Sequence, residues 1–501
     1  MRISQGVGPP GQAGGFADAT RRLAASRRMR RAVGSARQAV IRSRLPIAAA
    51  LAYAVIAGFV ATRAIVKGAV IGELVAIVVA VLPLLVAITW RRPLAFPFTL
   101  YLIFIPLENL LTVGGLGTIT RLLGLASIVP IVIAIVRNRD RIPLPRSATA
   151  LGLLVCWMLL SFMWASNLEG GVALFQTFGS LALVYVVVSM YPADGRDLRV
   201  ALAATAASGI CASAYGIWLL QRGGMISDDG RFAIQIGESY IDPNHFANSL
   251  LVPTAILLMA TFRARSLLAK AAFAFLTLIV VYGIYVTLSR EALLALSAML
   301  VYFLFRSRYR AQVGAILACG GVLLTLQGTL VERFSIMFST GGAGRLAIWR
   351  VGYDAFRQHW FGGVGLGSFT DAYNDSYLNV YQAYGAGWGR ASHNVIIHFA
   401  VELGIVGLLL LFVFIRGQFN LAAKVTRTDE AYDIRIALEG GLISICVASM
   451  FIDLFVYKYA WVPLFLLVIL RAIHARGKTL SVPQRRHNQP VMNYFAREAQ
   501  T

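Results

Sequence analysis

The chain has 501 residues, of which 58% are hydrophobic and only 14% charged, and its mean hydropathy is +0.70. Soluble domains carry about 25% charged residues, so a soluble globular fold is excluded and length here counts membrane spans. The net charge of +23 is read as basic residues in cytoplasmic loops and tails beside an anionic lipid surface, and no nucleic-acid partner is expected.

Residues 1–45 hold ten arginines, with Asp18 as the only acid. No apolar core of a cleaved secretory signal lies before the first span. A basic cytoplasmic tail is expected, with an organellar transit peptide as the minor alternative. Apolar runs follow at 46–66, 68–90, 94–111, 119–137, 148–165, 172–191 and 199–220. Seven more come at 246–262, 271–289, 291–306, 311–328, 393–415, 436–455 and 459–473. The fold class is therefore all-α, a polytopic transmembrane helical bundle of roughly 12–14 spans, each able to cross a hydrocarbon core. Cys156, Cys211, Cys319 and Cys446 all fall inside apolar runs and read as small buried hydrophobes.

Loop charge orients the bundle. With a cytoplasmic N-terminus, Arg91-Arg92, Arg137–Arg146, Arg196–Arg199, Arg263–Lys270, Arg306–Arg310, Arg416–Arg435 and the tail 476–501 all fall inside. Spans 46–328 and 393–475 then flank one long outer loop, 329–392. A structureless loop of that length is unusual in a compact protein. Leu346, Trp349, Tyr353, Phe356 and Trp360 recur at spacings of three and four, which predicts an amphipathic surface helix over 344–360. The run Gly362-Gly363-Val364-Gly365-Leu366-Gly367 lacks the lysine and hydroxyl of a P-loop and reads as a flexible turn, with most of 370–390 as connection.

The chemistry-bearing residues gather at the outer ends of spans. Arg290 opens one span, next to Glu291, where it either pairs with a carboxylate or binds an anion; a guanidinium offers a planar fork to two phosphate oxygens. Arg345 follows Gly341-Gly342-Ala343-Gly344 at a helix start, a second anion-binding position. His393 sits where apolar sequence resumes, with Ser392 as the expected helix cap. The positive helix end keeps such an imidazole neutral, as a general base requires; the bland reading is a simple cap. His398 and Glu402 share a helix face and read as a structural pair. Asp242, Asn244 and His245 form a further polar cluster that also fits plain turn chemistry.

In order along the chain, Asp242-Pro243-Asn244-His245, Ser289-Arg290, Gly344-Arg345 with Trp349, the glycine run, His393-Asn394 and Glu402-Leu403-Gly404-Ile405-Val406-Gly407 resemble the O-antigen ligase and polysaccharide polymerase superfamily of membrane glycosyltransferases. The resemblance covers about residues 230–415. It implies a bacterial inner-membrane enzyme with its site on the periplasmic face. The implied donor is a glycan on undecaprenyl diphosphate, and the acceptor is lipid A-core or another glycan. No metal and no cofactor are expected. Arg290 and Arg345 would hold the diphosphate and His393 would lie near the acceptor hydroxyl. Asp242, His245, Glu291 and Trp349 stand as acceptor-side or supporting residues. Ligase and polymerase stay open at this point. The rival from another class is a non-enzymatic transporter or flippase for lipid-linked saccharides, which would carry paired charges along several spans.

Overall fold

A computed structural model describes residues 85–110, 112–113, 117–138, 142–222, 231–232, 234–236, 239–326, 344–384 and 387–477. The expected spans at 46–66 and, up to residue 84, at 68–90 lie outside them, as do the N-terminal tail and the chain beyond Gly477.

The first described helix, α1 (Phe98–Phe104), passes into a 3-10 turn, Ile105–Leu110, so the expected span at 94–111 is a short broken element. A small hairpin follows, β1 (Thr112–Val113) with β2 (Gly117–Thr118). Then come α2 (Ile119–Asn138), α3 (Arg146–Ser161), α4 (Leu168–Met190) and α5 (Gly195–Gln221). A second hairpin, β3 (Ile234–Ile236) with β4 (Ser239–Ile241), leads into α6 (Pro243–Ser249) and α7 (Leu251–Arg263). Next are α8 (Leu267–Val286), α9 (Arg290–Arg306) and α10 (Arg310–Leu326). The insert contributes α11 (Arg345–Gln358) and α12 (Phe369–Tyr384). The chain closes with α13 (Val395–Leu421), α14 (Tyr432–Ala448) and α15 (Lys458–Ala475).

The protein is thus all-α apart from two ribbons, and multi-pass. Among the described residues, seven helices are long and apolar enough to cross a membrane: α2, α4, α5, α6 with α7, α8, α13 and α15. Helix α15 is the pillar of the bundle. Its Trp461 is fully buried and meets the rings of Phe178 and Tyr185 of α4, Phe414 of α13 and Phe465 of its own helix. Helix α8, by contrast, leaves most of its apolar surface outward, as a lipid-facing helix does. Cys156, Cys211 and Cys319 are exposed on helices and Cys446 is half-buried, so the expectation of four buried thiols fails. On a membrane helix the lipid itself can receive an apolar side chain, so such a residue need not face the protein core.

The insert is more ordered than the sequence suggests. Helix α11 forms where expected, but its buried stripe is Ile348, Val351, Gly352 and Ala355, while Leu346 and Tyr353 are exposed. Close approach explains the offset: a Cβ on Gly352 would sit 2.7 Å from Ile397 of α13, so small residues face the bundle. Helix α12 occupies most of the stretch expected to be mere connection, and its Tyr373 is fully buried against Phe369.

The glycine run is no flexible turn either. Gly404, with φ 66° and ψ −167°, breaks α13 in its third turn, and the carbonyls of Val401, Glu402 and Leu403 face the break. They accept from Val364 N–H (2.9 Å), Gly365 N–H (2.9 Å) and the Trp157 indole (2.9 Å), while Ile405 N–H donates to Trp360 (2.8 Å). Backbone groups at membrane depth need such partners, since each unsatisfied one costs several kcal/mol. Only glycine fits the join: a Cβ on Gly404 would stand 2.0 Å from the Phe361 carbonyl oxygen, and one on Gly363 2.3 Å from Glu402. The run therefore clamps the insert to the bundle.

Candidate functional site

The starts of α9 and α11 meet through Arg345 and Glu291, and α11 reaches the turn before α13 through Trp349. Ser289 caps α9 by accepting from Ala292 N–H, which leaves Arg290 and Glu291 as its first two residues. Leu288 just before the cap has φ 50°, a left-handed value that non-glycine residues rarely adopt outside constrained sites. The turn is tied down from the side: Ser289 Oγ donates to Asn244 Oδ1 (2.9 Å) and Arg231 Nε donates to the Thr287 carbonyl (3.1 Å).

Gly344, at φ 81°, lets Arg345 open α11 with no side-chain cap. The Arg345 guanidinium reaches Glu291 Oε2 at 3.1 Å and lies over the Phe451 ring, 5.9 Å from its centroid. Glu291 is only 3% exposed and also accepts from Asn248 Nδ2 (3.1 Å). Arg345, distant in sequence, is thereby brought to the start of α9, where Arg290 precedes Glu291. One turn along α11, the Trp349 indole donates to the Ser392 carbonyl (3.1 Å).

That bond holds the turn carrying His393. His393 has φ 45°, the second left-handed non-glycine residue among those described. The helix cap is Asn394, not Ser392 as expected: Asn394 Oδ1 accepts from Ile396 N–H (2.9 Å) and Ile397 N–H (3.2 Å). Its Nδ2 donates to the Met450 carbonyl (3.1 Å). His393 stands half-buried just outside α13. Burial first, and then the cations Arg345 and Arg390, push its pKa below the ordinary imidazole value against the opposing pull of Asp453 and Asp242. The neutral ring a general base needs is therefore favoured.

Ser392 takes a different role, donating its hydroxyl to Asp453 Oδ2 (2.7 Å). His398 sits between two carboxylates, with Nε2 3.3 Å from Glu402 and Nδ1 3.4 Å from Asp453, and stacks on Phe369. Glu402 in turn accepts from Phe369 N–H (3.1 Å), so the expected His398–Glu402 pair forms and reaches the start of α12. Burial alone would push Asp453 up, but the facing His398 ring and the Ser392 hydroxyl outweigh it and hold the carboxyl below its usual range.

Asp242 does the plain work of a helix cap, accepting from Asn244 N–H (2.8 Å) and His245 N–H (3.4 Å). His245 shares a 2.7 Å hydrogen bond with the Tyr459 hydroxyl and lies 4.1 Å from the Tyr457 ring, close enough to His393 for their charges to interact. Asp453, Asn248, Arg231 and Tyr459 were not singled out by sequence. Asp453 had a signal, a carboxylate placed within the expected span at 436–455, where an ionisable residue is costly. Among the described residues, no group of three or more His, Cys, Asp or Glu side chains is arranged to hold a metal ion.

Fold and site together define a multi-pass membrane protein whose insert brings arginines and a half-buried histidine to the ends of its helices. Residues 250–412 match the O-antigen ligase family model. No curated protein matches the chain. The matched stretch contains Arg290, Glu291, Arg345, Trp349 and His393; Asp242 and His245 precede it and Asp453 follows it.

Proposed function

We propose that the protein transfers a glycan from an undecaprenyl-diphosphate donor to an acceptor hydroxyl on the periplasmic face of the bacterial inner membrane. In this reading residues 329–392 form the periplasmic loop and both tails are cytoplasmic. The observation that supports it best is the convergence on one spot of Arg345 from the insert, the Arg290–Glu291 helix start, and a histidine biased to neutrality.

Arg290 and Arg345 bind the two phosphates. As the acceptor oxygen forms its bond to the anomeric carbon, the bond from that carbon to the diphosphate breaks and its electron pair leaves with the phosphate. Two fixed guanidinium groups offset the charge that develops there. The hydroxyl proton passes to His393, a step that typically contributes about 10²–10⁴-fold. In-line attack inverts the anomeric centre. Trp349 supports the His393 turn and Asp242 caps the facing helix, so neither needs to touch the acceptor.

The test is direct. Purified protein is incubated with lipid-linked repeat units alone and with lipid A-core. Elongation of the repeats alone marks a polymerase, and capping of lipid A-core marks a ligase. Movement of lipid-linked saccharide across vesicles with no new glycosidic bond overturns the reading in favour of a transporter.

A further inference from the structure

Glu291 is an expensive residue to place where it is. It is 3% exposed, and its two carboxylate oxygens are taken by the Asn248 amide at 3.1 Å and the Arg345 guanidinium at 3.1 Å. Other titratable groups that bear on it are Asp242 at the cap of α6 and Tyr459 of α15, with Arg290 its neighbour on α9. Arg345 is therefore a cation that directly balances this buried carboxylate. Arg345 is also the residue proposed above to bind the donor, and it cannot give both of its roles full strength at once. Removing one partner of a buried ion pair leaves an uncompensated charge that a protein does not tolerate. The ordinary escape is protonation of the carboxylate.

A second observation shows where that proton would be received. The Oδ1 atom of Asn248 is buried and, among the described residues, accepts no hydrogen bond, although it belongs to the amide whose nitrogen touches Glu291. Turning the amide over would present this acceptor to a protonated Glu291. The arrangement thus supplies a partner for Glu291 in either state: an N–H donor for the carboxylate and a C=O acceptor for the acid.

We infer that Glu291 holds the place of the donor's diphosphate: when the donor binds, Arg345 passes from Glu291 to a phosphate oxygen and Glu291 takes up one proton from solvent. This rests on the diphosphate reading of Arg290 and Arg345. The charge balances locally, since the site exchanges one carboxylate for phosphate while a proton neutralises the carboxylate left behind. Glu291 is a positioning residue in this scheme. It keeps Arg345 folded into the site while the site is empty, and it makes donor affinity fall as pH rises.

The experiment is calorimetric titration of the detergent-solubilised full chain with a short-chain polyprenyl-diphosphate monosaccharide, whose phosphates stay ionised throughout. It is run between about pH 7 and 8, above the range in which His393 charges, in buffers of low and high ionisation enthalpy. The wild-type protein is expected to take up a fraction of a proton per ligand at the lower end, approaching one at the alkaline end, where affinity falls toward about tenfold per pH unit. Glu291→Gln is expected to bind with no proton uptake and no such slope. Binding without uptake by the wild type, or uptake that persists in Glu291→Gln, overturns the inference while leaving the diphosphate reading in place. Binding that is absent, or unchanged in Arg345→Ala, overturns both. The wild-type measurement decides the matter even if Glu291→Gln fails to insert.

Discussion

The Trp349 indole and the Ser392 carbonyl are joined at 3.1 Å, so the first helix of the insert holds the turn that presents His393. That turn carries backbone strain at φ 45° and keeps it because surrounding contacts over-determine it. Trp349→Phe retains the ring packing and removes only the donor. A hydrogen bond of this kind contributes about 1 kcal/mol, so turnover is expected to fall roughly fivefold to tenfold with membrane insertion unchanged. A steady-state assay alongside a quantified membrane fraction checks it; unchanged turnover would show that Trp349 is only packing.

Asn394 makes the stronger structural claim, because it caps α13 through two backbone N–H groups and reaches the Met450 carbonyl as well. Loss of an Asn cap typically costs about 0.5–2 kcal/mol. Asn394→Ala is expected to lower the thermal midpoint of the solubilised protein, whereas Asn394→Asp keeps the cap and recovers most of it. Ser392→Ala leaves the cap intact and is expected to affect stability less than Asn394→Ala.

Gly404 is the residue on which the insert's docking depends. Its backbone lies at φ 66° with ψ −167°, a region open almost only to glycine, and any Cβ there meets the Phe361 carbonyl oxygen. Gly404→Ala is expected to destabilise by more than about 3 kcal/mol. Limited proteolysis should then cut within 361–368 at protease levels that leave the wild type intact. Resistance equal to the wild type would contradict the account of the broken helix.

The pH dependence follows from His393. Burial and two nearby arginines depress its pKa, so the imidazole stays neutral to lower pH than the ordinary value of about 6.5. The acid limb of kcat/KM is therefore expected below that value. Arg390 disfavours the imidazolium without pairing to Glu291. Arg390→Gln removes a cation, raises the histidine pKa and is expected to move the acid limb upward by a fraction of a pH unit. A downward shift would contradict the electrostatics of the site.

Much of this fold was legible because its signals are local. Apolar runs gave the spans, and the spacing of Leu346, Trp349 and Phe356 gave α11. The breaks were harder to read. Gly404 lies within a stretch that reads as one continuous span, and nothing local says that its neighbours' carbonyls are completed by Val364, Gly365 and Trp157 from elsewhere in the chain. The glycine run looked like a turn for the same reason: its partners are long-range. At the site, residue type and helix-end position picked out Arg290, Arg345 and His393. The contacts that assemble them were invisible. Ser392 was expected to cap and instead serves Asp453, while Asn394 caps, a choice between two polar residues on either side of His393, whose φ is positive.

The central claim is that Arg345 and His393 serve one glycosyl transfer from opposite sides of the same bond. The measurement that tests it most directly is single-turnover transfer from a lipid-diphosphate-linked glycan by purified wild-type, Arg290→Ala, Arg345→Ala and His393→Ala proteins. Correct folding of each variant is verified by its thermal transition. Folded His393→Ala is expected to lose about 10²–10⁴-fold in the rate of bond formation, with Arg290→Ala and Arg345→Ala comparably impaired. Transfer at the wild-type rate by folded His393→Ala, or by either arginine variant, would contradict the account.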